Sequence, residues 1–405
     1  MNQRLVAGLL GLMLCLTAGA AWAGFTETLP QGAFMLDVSY LYSYLNSAYD
    51  DDGRKVPLIE EVKRYEPGAG LQGTLIPKAR TEFGILVSQL QYGIFDNLSA
   101  GIGVPVVLYT KIDPDFQWDK GDYNWNLGRS YSEQDFWDWA GSMGQPKPGK
   151  WRGNEGVLGD IQLGTRWRFT DGYQSWEKLG LAMAGMMTVA LPTGKQPDPE
   201  EVVTAGTTSW DLHSNGDLGF HVSLDKSFKE SLDGRLLVGV DAFYEFLLPH
   251  RYESPEGKKN PLLLNYRPFT GKYYTIDGGD FTGGSVQTDI VPWKGPALGT
   301  WLTKGDVEKA KALPPLLTFS FRYSFIYLQQ TDWQSDSEIW DYDRERLWRP
   351  GYKNMLNGQM VLSLLRLGAP LQPYVAYRNL TWIPGKNCRA ADVLSAGTRV
   401  LMKFW

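Results

Sequence analysis

Cysteine is nearly absent from this chain: Cys15 and Cys388 are the only two in 405 residues. Cys15 lies in the leader described below, so the mature chain keeps Cys388 alone. That excludes an intramolecular disulfide and a paired-cysteine metal site. Histidine is equally scarce, at His213, His221 and His250. Beyond the leader, no apolar run approaches the roughly 20 residues that a membrane-spanning helix needs. Positive charge is not in excess, since 40 Lys and Arg stand against 45 Asp and Glu. The resulting net charge of −5 argues against a nucleic-acid partner, which wants a basic face. No phosphate-cradling loop and no nucleotide fingerprint occurs, so no cofactor is expected. No repeat of solenoid period is evident. Asp50-Asp51-Asp52-Gly53 places its glycine too early for a calcium loop and reads as a solvated turn, so no metal is expected either.

Glycine, aromatics and short polar residues are plentiful instead. Residues 1–23 carry Arg4, an apolar run from Leu5 to about Ala21, and a small-x-small site at Ala21-Trp22-Ala23, the anatomy of a cleaved secretory signal. Leu12-Met13-Leu14, ahead of Cys15, lacks the small residues of a lipidation site. Residues 24–405 then read as a single domain.

That domain alternates. In Asp392–Trp405, Leu394, Ala396, Thr398, Val400, Met402 and Phe404 share one side of an extended strand. Ser395, Gly397, Arg399 and Lys403 share the other. Successive strand side chains point to opposite faces. Residues 160–169, 217–226, 235–246, 317–327, 98–108 and 34–44 behave alike, while 80–93 and 357–368 are mixed. Connectors alternate in length. Asp96-Asn97, Thr170–Trp176, Lys229–Gly234 and Ala369-Pro370 are short, and about 46–77, 111–156, 194–214, 250–271 and 331–356 are long.

A span without helices must be a closed barrel, because every backbone amide needs a partner in lipid. The reading is an all-β transmembrane antiparallel barrel in the outer membrane, with short periplasmic turns and long extracellular loops. Eleven strands are legible. Parity asks for one more within 272–303, followed by a short periplasmic segment near Lys304–Leu313, giving about twelve. Outer-membrane lipid is then one partner. Barrels of this class close with an aromatic-terminated strand that the assembly machinery reads, and this chain resembles them, with Trp405 one residue beyond Phe404.

Short motifs add a family resemblance. Gly156-Val157-Leu158-Gly159-Asp160, running into Arg166-Trp167-Arg168-Phe169, is one. Leu191-Pro192-Thr193-Gly194-Lys195, followed by Gly216-Asp217-Leu218-Gly219, is another, and Leu29-Pro30-Gln31-Gly32 precedes the first strand. Together they resemble the outer-membrane family associated with the meta-pathway of phenol degradation, over residues 29–250 well and the rest loosely. The resemblance implies a barrel passing aromatic or other apolar compounds. The inserts at 111–156 and 250–313 depart from it.

Alternation assigns a lumen lined by Arg166, Arg168, Arg322, Arg399 and Lys403, against Asp160, Asp217, Asp225, Asp241 and Glu245, with His221 beside them. Such charges satisfy one another and also set a field along an aqueous path. His221, Ser223 and Asp225 share a face. On a flat strand Asp225 is about 13 Å from His221, too far to orient the imidazole, and the row faces inward rather than toward lipid. A lipid hydrolase is therefore the weakest reading, and the chain is not expected to be an enzyme. Trp118, Trp125, Trp137 and Trp139 crowd the 111–156 loop, where Ser132 is placed to cap a short helix. These aromatics could plug the lumen, belt the membrane or bind a ring. Two functions stay open: passive passage of a small aromatic or apolar solute, or a plugged barrel with a structural or adhesive role that acts through its external loops.

Overall fold

The chain is described from a computed structural model covering residues 25–58, 61–142, 147–153, 155–194, 216–253, 273–298, 305, 313–330, 332–335 and 350–403. The expected leader at 1–23, His213, most of the 194–214, 250–271 and 331–356 loops, most of Lys304–Leu313, and Phe404 and Trp405 lie outside the described residues.

Twelve antiparallel strands close into a barrel: β1 Ala33–Tyr49, β2 Arg80–Phe95, β3 Leu98–Asp113, β4 Ile161–Arg168, β5 Leu181–Leu191, β6 Asp217–Ser227, β7 Leu236–Leu247, β8 Phe281–Trp293, β9 Leu317–Leu328, β10 Gly351–Leu362, β11 Leu371–Asn379 and β12 Cys388–Lys403. Each strand pairs with its chain neighbours, and β1 pairs with both β2 and β12, so the wall has no free edge. The strand demanded by parity within 272–303 is β8.

Alternation drives the closure. On β6, Asp217, Gly219, His221, Ser223 and Asp225 turn inward while Phe220 and Val222 are exposed. Outward side chains elsewhere include Leu90, Ile102, Met187, Val240, Val286, Phe321, Val375 and Leu394, all exposed. Buried in lipid, this surface is at home; in water it would be a very large apolar patch. Rings mark its two rims. Tyr92, Phe95, Trp167 and Trp293 lie toward the short-turn end, and Phe246, Tyr327, Tyr377 and Trp382 toward the long-loop end.

The short turns are as the sequence indicates, with small helices added. Helix α2, Gln174–Leu179, sits between β4 and β5 and ends at Gly180 in the left-handed region at φ 64°. A Cβ there would meet the Ser227 carbonyl oxygen at 2.3 Å, so only glycine fits.

Several strand boundaries correct the reading from sequence: β3 runs to Asp113 inside the expected 111–156 loop, and β10 ends at Leu362 rather than near 368. β10 begins at Gly351 rather than after 356, β12 begins at Cys388 rather than 392, and β1 extends to Tyr49 inside the expected loop. In each lengthened strand the ladder continues toward the long-loop end, where loops cover both faces of the strand.

Above the wall, the β2–β3 ribbon runs on. Gly73 to Pro77 pair with Phe116 to Lys120, and Val62–Glu66 adds a third strand. Helix α1, Glu133–Ser142, follows this ribbon with its own cap. The Asp135 N–H donates to Ser132 Oγ at 3.3 Å, and the Ser132 N–H donates back to Asp135 Oδ2 at 2.8 Å, a reciprocal capping box. Leu75, Tyr131, Phe136 and Ala140 form the core of this extracellular cap, with Trp118, Trp137 and Trp139 packed against it.

The cap is acid-sensitive by construction. Arg129 forks onto Asp135, which together with Ser132 holds that carboxyl well below the usual range. Its stabilisation is full above the ordinary carboxylate value of about 4 and is lost as pH falls toward the lower folded value. Tryptophan fluorescence of the cap should therefore hold from pH 7 to about 5 and decline only below about 4. Asp135→Asn should flatten that profile, and Ser132→Ala should cost the cap about 0.5–2 kcal/mol without loosening the barrel.

Candidate functional site

The lumen is filled in two layers. At the long-loop end, Leu41, Leu45, Phe83, Val107, Phe243, Phe281, Ile326, Met355, Ala391 and Val393 form one buried apolar cluster, beside the inward Asp160, Asp217 and Glu245 at the upper ends of β4, β6 and β7. Leu45 is 1% exposed and Val107 0%. This collar closes the upper lumen by side-chain packing alone. A twelve-strand barrel is narrow enough for that.

Below it the lining is polar, and a segment preceding β1 enters it. The Thr26 N–H and Oγ1 both donate to Asp225 Oδ2, at 2.7 and 2.8 Å. The Phe25 ring lies under the Arg322 guanidinium at 4.5 Å. Gly239 makes room, because a Cβ there would meet Phe25 Cδ2 at 2.8 Å and Asp225 Oδ1 at 2.2 Å. The Arg166 Nη1 donates to the Glu27 carbonyl oxygen at 3.1 Å. Nearer the rim, the Leu29 N–H donates to Ser99 Oγ at 2.8 Å and Gln31 N–H to Asp96 Oδ1 at 2.8 Å. Small cavities remain among the described residues. One, about 30 Å³, is lined by Phe25, Arg166, His221, Asp241, Arg322 and Arg378 among others. Another, about 90 Å³, lies against Glu27, Gln89, Gln91 and Gln162. The smaller has room for about one water.

The structure brings most of the expected lumen residues inside. Arg322 Nε and Nη2 donate to Gln287 Oε1 at 3.0 and 2.7 Å. Arg399 pairs with Asp37 at 3.1 Å, both side chains 3% exposed. Asp217 and Glu245 are buried on adjacent strands, and Asp160, fully buried, accepts the Gly194 N–H at 2.8 Å. Thr193 Oγ1 accepts the Ile161 N–H at 2.9 Å and donates to the Gly159 carbonyl at 3.1 Å. The two glycine-rich motifs thus fasten one another at the upper end of β4 and β5. Arg168 sits at the lower rim on Asp171, at 2.8 Å. Lys403 pairs with Ala33 through its backbone, and its side chain lies outside the described residues.

His221 is held across the strand pair rather than along it. Its Nδ1 is 3.1 Å from Asp241 Oδ2, and Ser223 Oγ donates to Asp241 Oδ1 at 2.6 Å. The ring stacks on Phe243 at 5.3 Å. A nucleophilic serine must give its proton to the imidazole. Here the carboxylate stands between the two, so the trio is a satisfied lumen network.

Among the loop tryptophans, Trp118 donates its Nε1–H to the Tyr131 carbonyl at 2.9 Å, Trp137 to Glu133 Oε1 at 3.1 Å, and Trp139 lies 4.2 Å under Arg64. Trp125 is 83% exposed at the tip of the cap, edge-on to Tyr123. Phe25, Thr26, Asp37, Arg378, Lys353 and Arg389 are inward residues that sequence reasoning missed. Asp37 had the right parity on an alternating segment. Phe25 and Thr26 precede any periodic segment, so no pattern signals them.

A closed barrel with an apolar exterior between two aromatic rims defines an outer-membrane protein. No protein-family model matches the chain, and no curated protein matches it. Among solved structures, an outer-membrane channel from Pseudomonas putida F1 is similar over 94% of this chain and 100% of its own, with a TM-score of 0.54 and 10% identity. The NanC porin gives 0.35 over 90% and 98% at 8% identity, and the CymD monoaromatic hydrocarbon channel 0.31 over 93% and 90% at 10% identity. The first likeness is one of fold.

Proposed function

We propose that the barrel is an outer-membrane channel for a small apolar or aromatic solute, moving passively down its gradient. The observation that carries this reading is the apolar collar. A barrel that served only as a scaffold could fill its lumen with paired charges, as the lower half does. An apolar constriction excludes water and hydrated ions by dewetting while admitting an apolar body. The Phe25 ring under Arg322 supports the same reading, since an aromatic ring is already accommodated in the polar layer. The fold shared with an outer-membrane channel is consistent with it. The resemblance to the phenol-degradation family points to the same solute class.

Outer-membrane vesicles with and without the protein test this. Labelled toluene or phenol should enter faster with the protein present, and a sugar of similar size should not. Equal enhancement of both would make it an unselective pore. No enhancement of either would favour the second reading, adhesion through the cap, for which the exposed Trp125, Tyr123 and Tyr65 speak. Ser223→Ala should leave lipid hydrolysis by the vesicles unchanged; a fall would revive the enzyme reading.

A further inference from the structure

The upper mouth of the lumen carries a cation that the fold does not neutralise. Arg389 is the second residue of β12 and shares the inward parity of Ala391, Val393 and Arg399. It is 9% exposed, and among the described residues none hydrogen-bonds its Nε, Nη1 or Nη2. Other inward arginines are engaged: Arg322 on Gln287, Arg399 on Asp37, Arg166 on the Glu27 carbonyl. An uncompensated buried guanidinium is strongly unfavourable, so a group that stays buried without a partner asks for an explanation.

Its surroundings supply one. Lys353, the third residue of β10, is 7% exposed and turns inward over the Phe281 ring at 5.8 Å. The Tyr352–Lys386 bridge draws the upper end of β10 toward the start of β12. Immediately below these two cations on the same inward faces come Met355 on β10 and Ala391 and Val393 on β12, all members of the collar. Positive charge therefore stands directly on an apolar throat. Glu245, buried at the upper end of β7, interacts electrostatically with Lys353, whereas Arg389 hydrogen-bonds none of the described residues.

We propose that Arg389, seconded by Lys353, receives the carboxylate of a small amphipathic acid whose apolar body enters the collar. This rests on the channel reading and names a solute class for it. A planar guanidinium offers two parallel N–H donors to a carboxylate, which an uncharged amide of the same shape cannot exploit equally.

Benzoate and benzamide separate the possibilities. Both would be titrated calorimetrically into the refolded mature protein at pH 7, and their uptake by vesicles followed. Benzoate should bind at least about tenfold tighter than benzamide, the worth of one charge-assisted pair. Arg389→Gln should erase the difference while benzamide uptake persists, and Lys353→Met should reduce it. Because the substitution removes an unpaired charge, Arg389→Met should fold and resist heat at least as well as the parent, and benzoate should raise the parent's thermal midpoint but not that of Arg389→Met. Equal affinities in the parent, or a preference surviving Arg389→Gln, would overturn the proposal while benzamide uptake left the channel reading intact. Entry of neither compound would remove both.

Discussion

Starting the chain at Thr28 should expose the middle of the lumen to water from the lower side. Phe25, Thr26 and Glu27 are then gone, and with them the bonds to Asp225 and the ring under Arg322. Ser285 Oγ and Ser324 Oγ, 2.8 Å apart, stand beside that ring. In a Cys388→Ala background, Ser285→Cys should react with a water-soluble thiol reagent on the order of tenfold to a hundredfold faster once the segment is removed. The range follows from a charge-assisted hydrogen bond worth about 1.5–3 kcal/mol and a tenfold change for each roughly 1.4 kcal/mol. Conductance is a poorer readout, because the apolar collar stands in series and limits ion flow by itself. An unchanged rate in a folded barrel would mean that the segment does not guard this layer.

The second large effect concerns stability. Asp37 and Arg399 join β1 to β12 where the barrel closes, and Tyr374 Oη donates to Asp37 Oδ1 at 2.9 Å. The guanidinium also lies 4.6 Å over the Tyr374 ring. Asp37→Ala leaves a buried cation without its partner and should cost about 3–5 kcal/mol, read as a fall in the urea midpoint of the barrel refolded into vesicles. Replacing both, as Asp37→Leu with Arg399→Met, should recover most of that loss, because the cost lies in the stranded charge more than in the missing attraction. A double variant as unstable as the single one would place the cost in packing against Tyr374.

Much of this architecture was legible in the chain. Strict two-residue alternation assigned the outward and inward faces of β4, β6, β9 and β12, and loop parity placed β8. It did so because one face meets lipid and the other a polar lumen, and only there does the pattern carry contrast. Where the lumen itself is apolar the contrast vanishes, which is why residues 80–93 read as mixed and the collar of Phe83, Val107 and Met355 went unseen. The mouth was missed for the opposite reason. Lys353 and Arg389 lie on strand ends near the upper aromatic rim, where charged residues resemble loop and the expected strands started later. Local sequence placed the Ser132 cap, yet nothing local could show that the neighbouring tryptophans would find their core against Leu75 from another loop. The entering segment has no signature, since its hold on Asp225 joins residues 199 apart.

The cap shares a ribbon with the wall but not a core. Phe136 is 1% exposed among residues of the cap alone, while the barrel is held by its own ladders and closure. The two parts therefore answer to different selective pressures. Substitutions around Trp125 and Tyr65 can alter what a bacteriophage or an antibody meets at the cell surface without shifting the register of a single spanning strand. The outer face can diversify while the passage beneath it is kept.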